Sequence, residues 1–73
     1  MAAIPQHRKR LGENLRGRRM ATGFSQEKLA EKAELHPKYL SEVERGNKTI
    51  SVDSLQGLAR AMKSSVEELV RGF

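Results

Sequence analysis

Lys38 and Glu42 are the two residues of this sequence whose types and spacing best suit hydrogen bonding to base pairs. A lysine ammonium can donate to O6 and N7 of guanine, and a carboxylate can accept from N4 of cytosine, each contact adding about 1–3 kcal/mol of discrimination. At i, i+4 spacing on a helix, the two side chains can instead pair with each other for about 0.2–0.5 kcal/mol. Base contact is therefore favoured where a DNA groove is present, whereas the pair can form in the free protein.

A helical wheel drawn from Pro37 at about 100° per residue separates a polar face from an apolar one. The polar face occupies an arc of about 140° on this wheel and carries Pro37, Lys38, Ser41, Glu42 and Arg45. The opposite face carries His36, Tyr39, Leu40 and Val43. Because amphipathic helices are common on protein surfaces, a merely solvated face is the alternative to a recognition surface at this point.

Capping and turn residues divide the chain into five helical stretches, and no alternating apolar pattern indicates a strand. The first stretch covers Gln6–Thr22 and ends at Gly23, a residue suited to a left-handed helix terminus. The second, fourth and fifth begin at the N-caps Ser25, Ser51 and Ser65. The expected fold class is therefore an all-α bundle.

The third stretch begins at His36-Pro37, directly after the short link Glu34-Leu35, and runs through Arg45 to Gly46-Asn47. Two short helices joined by so tight a link, the second opening with polar residues, are typical of a helix-turn-helix whose second helix enters the major groove. This arrangement favours the recognition interpretation of the polar face.

The net charge of +5 is concentrated at the start of the chain. Residues 1–23 hold six basic residues against one acidic residue, a balance of +5, whereas residues 24–73 hold eight of each. A basic segment on a neutral body suggests a polyanionic partner, either nucleic acid or an anionic membrane surface. Solvated charge without a partner is the alternative.

The composition argues against an enzyme, a metal site and a membrane protein. The sequence has no cysteine, and its two histidines, His7 and His36, lie far apart without supporting ligands. It lacks a Gly-rich phosphate loop, and 73 residues leave little room for a substantial cleft. No long apolar run indicates a membrane span or a secretion signal, so we expect a cytoplasmic protein without cofactor, metal or small-molecule ligand.

The last helical stretch carries more apolar surface than two turns can easily hide. Its apolar residues are Val66, Leu69 and Val70, followed by Phe73. A subunit interface and simple docking onto the first or fourth helix are the two interpretations, and the sequence favours neither.

Three runs of residues resemble the Cro/repressor-like, XRE-type helix-turn-helix family. They are Phe24-Ser25-Gln26-Glu27-Lys28-Leu29-Ala30, Tyr39-Leu40-Ser41-Glu42-Val43-Glu44-Arg45-Gly46, and Leu58-Ala59-Arg60-Ala61-Met62 with Leu55 before it. The similarity covers roughly residues 11–69. It implies a compact five-helix bundle of the lambda repressor-like kind, usually a homodimer on a two-fold-related, palindromic operator in double-stranded DNA.

The resemblance also implies roles for individual residues. The base-reading positions fall on Pro37, Lys38, Ser41 and Glu42. The phosphate-binding positions fall on Ser25, Gln26, Arg45, Asn47 and Lys48, and Gln26 also supports the recognition helix. Arg19 and Glu44 match the family's buried ion pair between the first and third helices.

Three departures from the family pattern change these expectations. Glu34 stands where the turn usually has glycine, so the turn is either less tight or takes a conformation that glutamate can reach. Arg18 stands where leucine is frequent, and we expect it to project to solvent or phosphate. Pro37 has no N–H and can contact only a thymine methyl, so much of the direct readout falls on Lys38 and Glu42.

Residues 1–10 precede the similar region, and residues 11–73 are expected to form a single helix-turn-helix domain. The basic cluster at residues 7–10 is either an arm that reaches DNA or a solvated helix start. Phosphate-directed cations would make DNA affinity salt-dependent.

We therefore predict a dimeric, sequence-specific DNA-binding regulator of transcription, associated with the nucleoid in the cytoplasm of a bacterium or of a phage host. The competing hypothesis is an antitoxin-like or adaptor module that uses the same fold to bind another protein. Glu42 supports this alternative, because a carboxylate on the recognition face repels phosphate unless it meets a cytosine.

Overall fold

The computed structural model describes residues 3–72, which form five α-helices and no strand. The helices are α1 (Gln6–Thr22), α2 (Gln26–Lys32), α3 (Pro37–Glu44), α4 (Val52–Ala61) and α5 (Val66–Leu69). The predicted all-α fold is confirmed, and α1 has the predicted bounds. The third helix is one residue shorter than predicted, because Arg45 is its C-cap. None of the helices in residues 3–72 is long and apolar enough to cross a membrane.

Polar side chains begin four of the helices. The Oγ atoms of Ser25, Ser51 and Ser65 each accept a hydrogen bond from the backbone N–H three residues later, at 3.0, 3.1 and 3.2 Å. His36 begins α3 in a similar way, because its Nδ1 accepts from the N–H of Lys38 at 3.1 Å. Such caps fix the start of a helix from local sequence alone, which is why these starts could be predicted.

The link between α2 and α3 is tight because Glu34 adopts a left-handed backbone conformation, with a φ of 58°. The N–H of Leu35 donates to the carbonyl of Ala30 at 2.8 Å, and the N–H of Glu34 donates to that of Glu31 at 3.2 Å. A left-handed residue other than glycine costs about 1–2 kcal/mol. Of the two expected outcomes at this turn, the chain takes the conformation that glutamate can reach, at that cost.

One hydrophobic core joins the five helices. Its largest fully buried side chains are Leu15, Leu29, Leu40, Val43, Leu58, Met62 and Leu69. α3 packs on both α1 and α2, while α4 and α5 close the bundle through contacts with α2 and α1. α3 therefore has one face held firmly against the bundle.

α1 and α3 approach each other closely at Gly12. A Cβ atom at this position would clash with the carbonyl group of Glu44 and lie 2.9 Å from the carbonyl oxygen of Val43. A glycine inside a helix costs about 1 kcal/mol relative to alanine, but here the close approach of two helices requires it. Gly17, the other glycine of α1, has no such neighbour within 4 Å.

The short helix α5 docks onto α1 and α4. Leu69 is only 1% exposed within the core, and Val66 and Val70 pack half-buried against it. The Nδ2 group of Asn14 donates to the carbonyl of Leu69 at 2.9 Å. Of the two interpretations of this helix, docking within the chain therefore holds for Leu69, and its assignment to a subunit interface is wrong because its side chain is buried in the core. Phe73, which completed that predicted interface, lies outside the described residues.

Candidate nucleic-acid interface

α3 presents a polar face to solvent and buries the opposite face in the core. Leu40 and Val43 are fully buried, and Tyr39 is half-buried. The residues of the predicted polar face remain accessible, with Pro37, Lys38 and Arg45 exposed and Ser41 and Glu42 half-buried. His36, which the wheel placed among the apolar residues, is exposed because its ring caps the helix.

Glu44 anchors α3 to the bundle from behind. Its carboxylate accepts from Nε and Nη2 of Arg19 at 2.7 and 3.1 Å, a bidentate pair. The Nε2 group of Gln26 donates to the same carboxylate at 3.0 Å, and Nη1 of Arg19 donates to the carbonyl of Phe24 at 2.9 Å. The side chains of Arg19 and Glu44 are 13% and 3% exposed. The ion pair that the resemblance implied is therefore present, and it ties α1, α2 and α3 together.

Gln26 supports α3 and keeps a second amide hydrogen, since Glu44 takes only one of the two on Nε2. Ser25 lies beside it, and its hydroxyl oxygen accepts from Lys28 while the hydroxyl hydrogen can still donate. These two residues line a shallow cleft of about 520 Å³ together with Lys38 of α3. The cleft thus brings hydrogen-bond donors of α2 and α3 side by side, with the acidic residue Glu27 also on its wall.

Glu42 pairs with Arg45 and Asn47. The Nη2 group of Arg45 donates to Oε1 of Glu42 at 2.5 Å, and Nδ2 of Asn47 donates to Oε2 at 3.3 Å. The backbone N–H of Asn47 also donates to the carbonyl of Glu42 at 2.9 Å. Of the alternatives left open for Glu42, the pair with Lys38 is not the one that the chain adopts, because Arg45 takes the carboxylate in a short charged hydrogen bond.

The loop after α3 has a defined position. Gly46 adopts a φ of 79°, and a Cβ there would lie 3.0 Å from the side chain of Ile4, just before α1. The hydroxyl of Tyr39 donates to the carbonyl of Thr49 at 2.8 Å. These contacts hold the loop against α1 and α3 and keep the exposed Lys48 beside the polar face.

The surface so formed is rich in hydrogen-bond donors and cations. Within residues 3–72, no group of three histidine, cysteine, aspartate or glutamate side chains could hold a metal ion. Amide, hydroxyl, ammonium and guanidinium groups are the donors that proteins direct to phosphate oxygens and base edges. The arrangement suits a nucleic-acid duplex.

Comparison with known proteins gives the family. The model of the helix-turn-helix family matches residues 15–69, which is more than half of the chain. The chain belongs to the XRE-type helix-turn-helix family. It is a DNA-binding transcriptional regulator of this family and not an enzyme.

Relatives and solved structures of this family cover most of the chain. Control protein C.SmaI of Serratia marcescens is 40% identical over 60 residues, which cover 82% of this chain and 71% of that protein. The clp gene regulator ClgR of C. glutamicum superposes with a TM-score of 0.87 at 37% identity, over 96% of this chain and 90% of ClgR. The restriction-modification controller protein C.AhdI of Aeromonas hydrophila superposes with a TM-score of 0.83 at 37% identity, over 85% of this chain and 94% of C.AhdI.

Arg16 of this helix-turn-helix protein is a candidate site residue that the sequence analysis missed. It lines a cleft of about 250 Å³ together with Gln26, Ser41 and Arg45, so it lies beside the residues assigned to DNA. The signal was its spacing: Arg16 precedes Arg19 by three residues and so lies on the same side of α1. Because Arg19 pairs with Glu44 of α3, Arg16, one turn earlier on α1, is also expected to lie near α3.

The other basic residues of the first segment lie on different sides of the helix-turn-helix domain. α1 begins at Gln6, so the basic cluster at residues 7–10 lies in its first turns. The backbone of Lys9 lies near Gly46 in the loop after α3, whereas the side chain of Arg10 lies near Gly72. Arg18, expected to project to solvent or phosphate, is half-buried: it lines a surface groove between α1 and α5, and its Nε atom is shielded from solvent.

Proposed function

We propose that this regulator binds a palindromic duplex as a homodimer, with α3 of each protomer in the major groove. The observation that carries the proposal is the division of α3 between an exposed polar face and a face fixed by the buried carboxylate of Glu44. A recognition surface must be both accessible and rigid, because side chains that are loosely held discriminate poorly between base pairs. α3 meets both requirements.

In this proposal, the start of α3 reads the bases. Lys38 donates to guanine, Glu42 accepts from cytosine, and Ser41 between them can contact either kind of base pair. Pro37 contacts a thymine methyl with its ring. These residues would set the sequence preference of each half-site.

The phosphate contacts flank α3 on both sides. Ser25 and Gln26 would donate to one strand, and the residues after α3 would contact the backbone beyond the helix. Those later residues are Arg45, Asn47 and Lys48. We add Arg16 to this set, because it shares a cleft with Gln26 and Arg45.

We propose that the groove between α1 and α5 belongs to the subunit interface. The groove is lined by Arg18 and Ser64, whose Nε and Oγ atoms have no hydrogen-bond partner among the described residues although solvent does not reach them. We also assign Val66 and Val70 to this interface, because they are half-buried on α5, the helix that borders the groove. Buried polar atoms without partners are costly, so a surface that supplies partners would be favoured there. Leu69 also lines this groove, but its side chain is 1% exposed and packs in the core, so it would add little contact to a partner.

Selection of bound oligonucleotides from a random pool tests the proposal. We expect a palindrome whose half-site centres lie about 34–36 Å apart, one turn of duplex, because two-fold symmetry of the protein is mirrored in its operator. Recovery of a single, non-repeated site would contradict the dimer. Recovery of no preferred sequence would contradict base reading by α3.

The relatives are named for different processes, restriction–modification in C.AhdI and clp genes in ClgR. What they share is DNA-binding regulation, and the proposal therefore assigns no target gene. A regulator of this kind would work in the cytoplasm, where its DNA is.

The alternative, an antitoxin-like or adaptor module, loses its main support in the structure. It rested on a bare carboxylate at Glu42, and that carboxylate is neutralised by Arg45. A gel-shift with the selected duplex and a pull-down from native lysate separate the two: stoichiometric capture of a protein by a chain that shifts no duplex would favour the module.

A further inference from the structure

Glu42 holds two of the residues proposed to contact phosphate. Its Oε1 accepts from Arg45, the C-cap of α3, and its Oε2 accepts from Asn47 in the loop that follows. The Glu42 side chain is 22% exposed and that of Arg45 is 60% exposed. The Arg45 guanidinium is therefore accessible to a DNA duplex, whereas the Glu42 carboxylate that accepts from it is mostly covered by the protein.

This arrangement gives one carboxylate two competing sets of donors. In the free protein the donors are the guanidinium of Arg45 and the amide of Asn47. In the major groove the donor is N4 of a cytosine. Arg45 gives Nη2 to Glu42 and Nε to the carbonyl of Ser41. Because the carboxylate also offsets the positive charge of the guanidinium, the state of Glu42 decides how much charge Arg45 offers to the backbone.

We propose that Glu42 couples base readout to backbone contact and thereby suppresses binding to non-cognate DNA. This inference rests on the proposed function. On a duplex without the matching cytosine, the carboxylate stays with Arg45 and Asn47 and neutralises the arginine. On the cognate duplex, the cytosine amino group takes the carboxylate, and Arg45 and Asn47 turn to phosphate. Specificity generally comes in part from interactions that penalise a wrong partner, and here the Arg45 contact to phosphate is not made on non-cognate DNA.

The first arm of the test measures affinity at several salt concentrations for two duplexes of equal length and composition, one selected and one scrambled. We expect Glu42→Gln to bind the scrambled duplex about eightfold more tightly at 0.1 M salt, because one more phosphate is neutralised at a log–log slope of about 0.9. The ratio of the two affinities should fall by at least that factor. Glu31→Gln is the matched control, because Glu31 also pairs with a basic residue at i, i+3 spacing, lies on α2 and is 74% exposed.

The second arm needs no variant and separates coupling from simple charge repulsion. The Nη2 signals of Arg45 and the Nδ2 signals of Asn47, the groups that donate to Glu42, are followed by NMR in wild-type protein. We expect them to keep their free-protein positions with the scrambled duplex and to move with the selected one. In Glu42→Gln they should move with both duplexes.

Two results would overturn the coupling. One is an unchanged affinity of Glu42→Gln for the scrambled duplex relative to Glu31→Gln. The other is an equal movement of the Arg45 and Asn47 signals in wild-type complexes with both duplexes. A wild-type protein that binds selected and scrambled duplexes equally would instead refute the proposed function, so the two failures are distinguishable.

Discussion

At the scale of single residues, the carboxylate of Glu44 connects the stability of the domain to its recognition surface. It accepts three hydrogen bonds, two from Arg19 and one from Gln26. All three donors come from outside α3, so the orientation of this helix depends on one buried acid. Removing one partner of a buried pair leaves the other as an uncompensated charge, which costs about 3–5 kcal/mol.

We therefore expect Glu44→Ala to lower the free energy of unfolding by about 3 kcal/mol, the lower end of that range, because Arg19 is 13% exposed and can partly rehydrate. Urea unfolding followed by circular dichroism measures the change. Glu31→Ala, which breaks an exposed pair with Lys28, should cost no more than about 1 kcal/mol. Equal stability of Glu44→Ala and wild type would contradict the anchoring role.

Arg16 tests whether the phosphate surface extends onto α1. We expect Arg16→Ala to weaken binding to selected and scrambled duplexes alike and to reduce the log–log salt slope by about 0.9, because one phosphate contact is lost. Fluorescence anisotropy over a salt series gives both quantities. Arg60→Ala is the control, since Arg60 is exposed on α4 beside Gly57 and Ala61. A slope that does not change in Arg16→Ala would remove this residue from the interface.

At the scale of elements, the contact between α1 and α3 depends on a glycine that helix propensity alone disfavours. Alanine is the better helix former at both glycines of α1 by about 1 kcal/mol. Only Gly12 lies where a Cβ atom would meet the backbone of α3. The two positions therefore separate local propensity from packing.

We expect Gly17→Ala to stabilise the domain by about 0.5–1 kcal/mol. Gly12→Ala should instead destabilise it by about 1–3 kcal/mol, because α1 must move away from α3. Thermal and urea unfolding of the two variants check this pair. Stabilisation by both substitutions would show that the helices do not approach as closely as described.

The turn between α2 and α3 carries a cost that one substitution should relieve. Glu34 has a φ of 58°, so Glu34→Gly should raise the free energy of unfolding by about 0.5–1 kcal/mol, after the greater chain entropy of glycine is counted. Glu31→Gly, in the last turns of α2, should lower it by about 1 kcal/mol. A loss of stability in both variants would mean that glutamate is not strained at this turn.

At the scale of the whole molecule, local features could be predicted and packing could not. The helix starts at Ser25, Ser51 and Ser65 follow from side chains that bond to their own helix, so short windows of sequence reveal them. The anchoring of α3 by Glu44 was accessible only through the family resemblance. No local pattern indicates that a glycine in α1 meets the backbone of α3, or that a leucine in α5 completes the core.

In the candidate site, the exposed face of α3 could be predicted from the sequence, but the hydrogen-bond partners of its side chains could not. Periodicity placed Lys38, Ser41 and Glu42 on one accessible face of α3, because side-chain direction along a helix is fixed by geometry. The partners of Glu42 in the free protein, Arg45 and Asn47, were not among those that the sequence suggested. Several donors lie within reach of one carboxylate, and the position of the loop after α3, which sequence periodicity does not determine, decides among them.

The size of the molecule is compatible with two copies on one duplex. Its extents are 34 × 23 × 21 Å, and successive half-sites on one face of DNA are about 34 Å apart. Two protomers with α3 in neighbouring major grooves can therefore touch each other.

The most direct test of the account compares Lys38→Ala and Lys48→Ala on the selected and the scrambled duplex. Both variants lose one exposed ammonium group, but only Lys38 lies on the base-reading face. We predict that Lys48→Ala weakens binding to both duplexes by a similar factor, whereas Lys38→Ala loses about 1–3 kcal/mol only on the selected duplex. Equal losses of Lys38→Ala on the two duplexes would contradict base reading by α3.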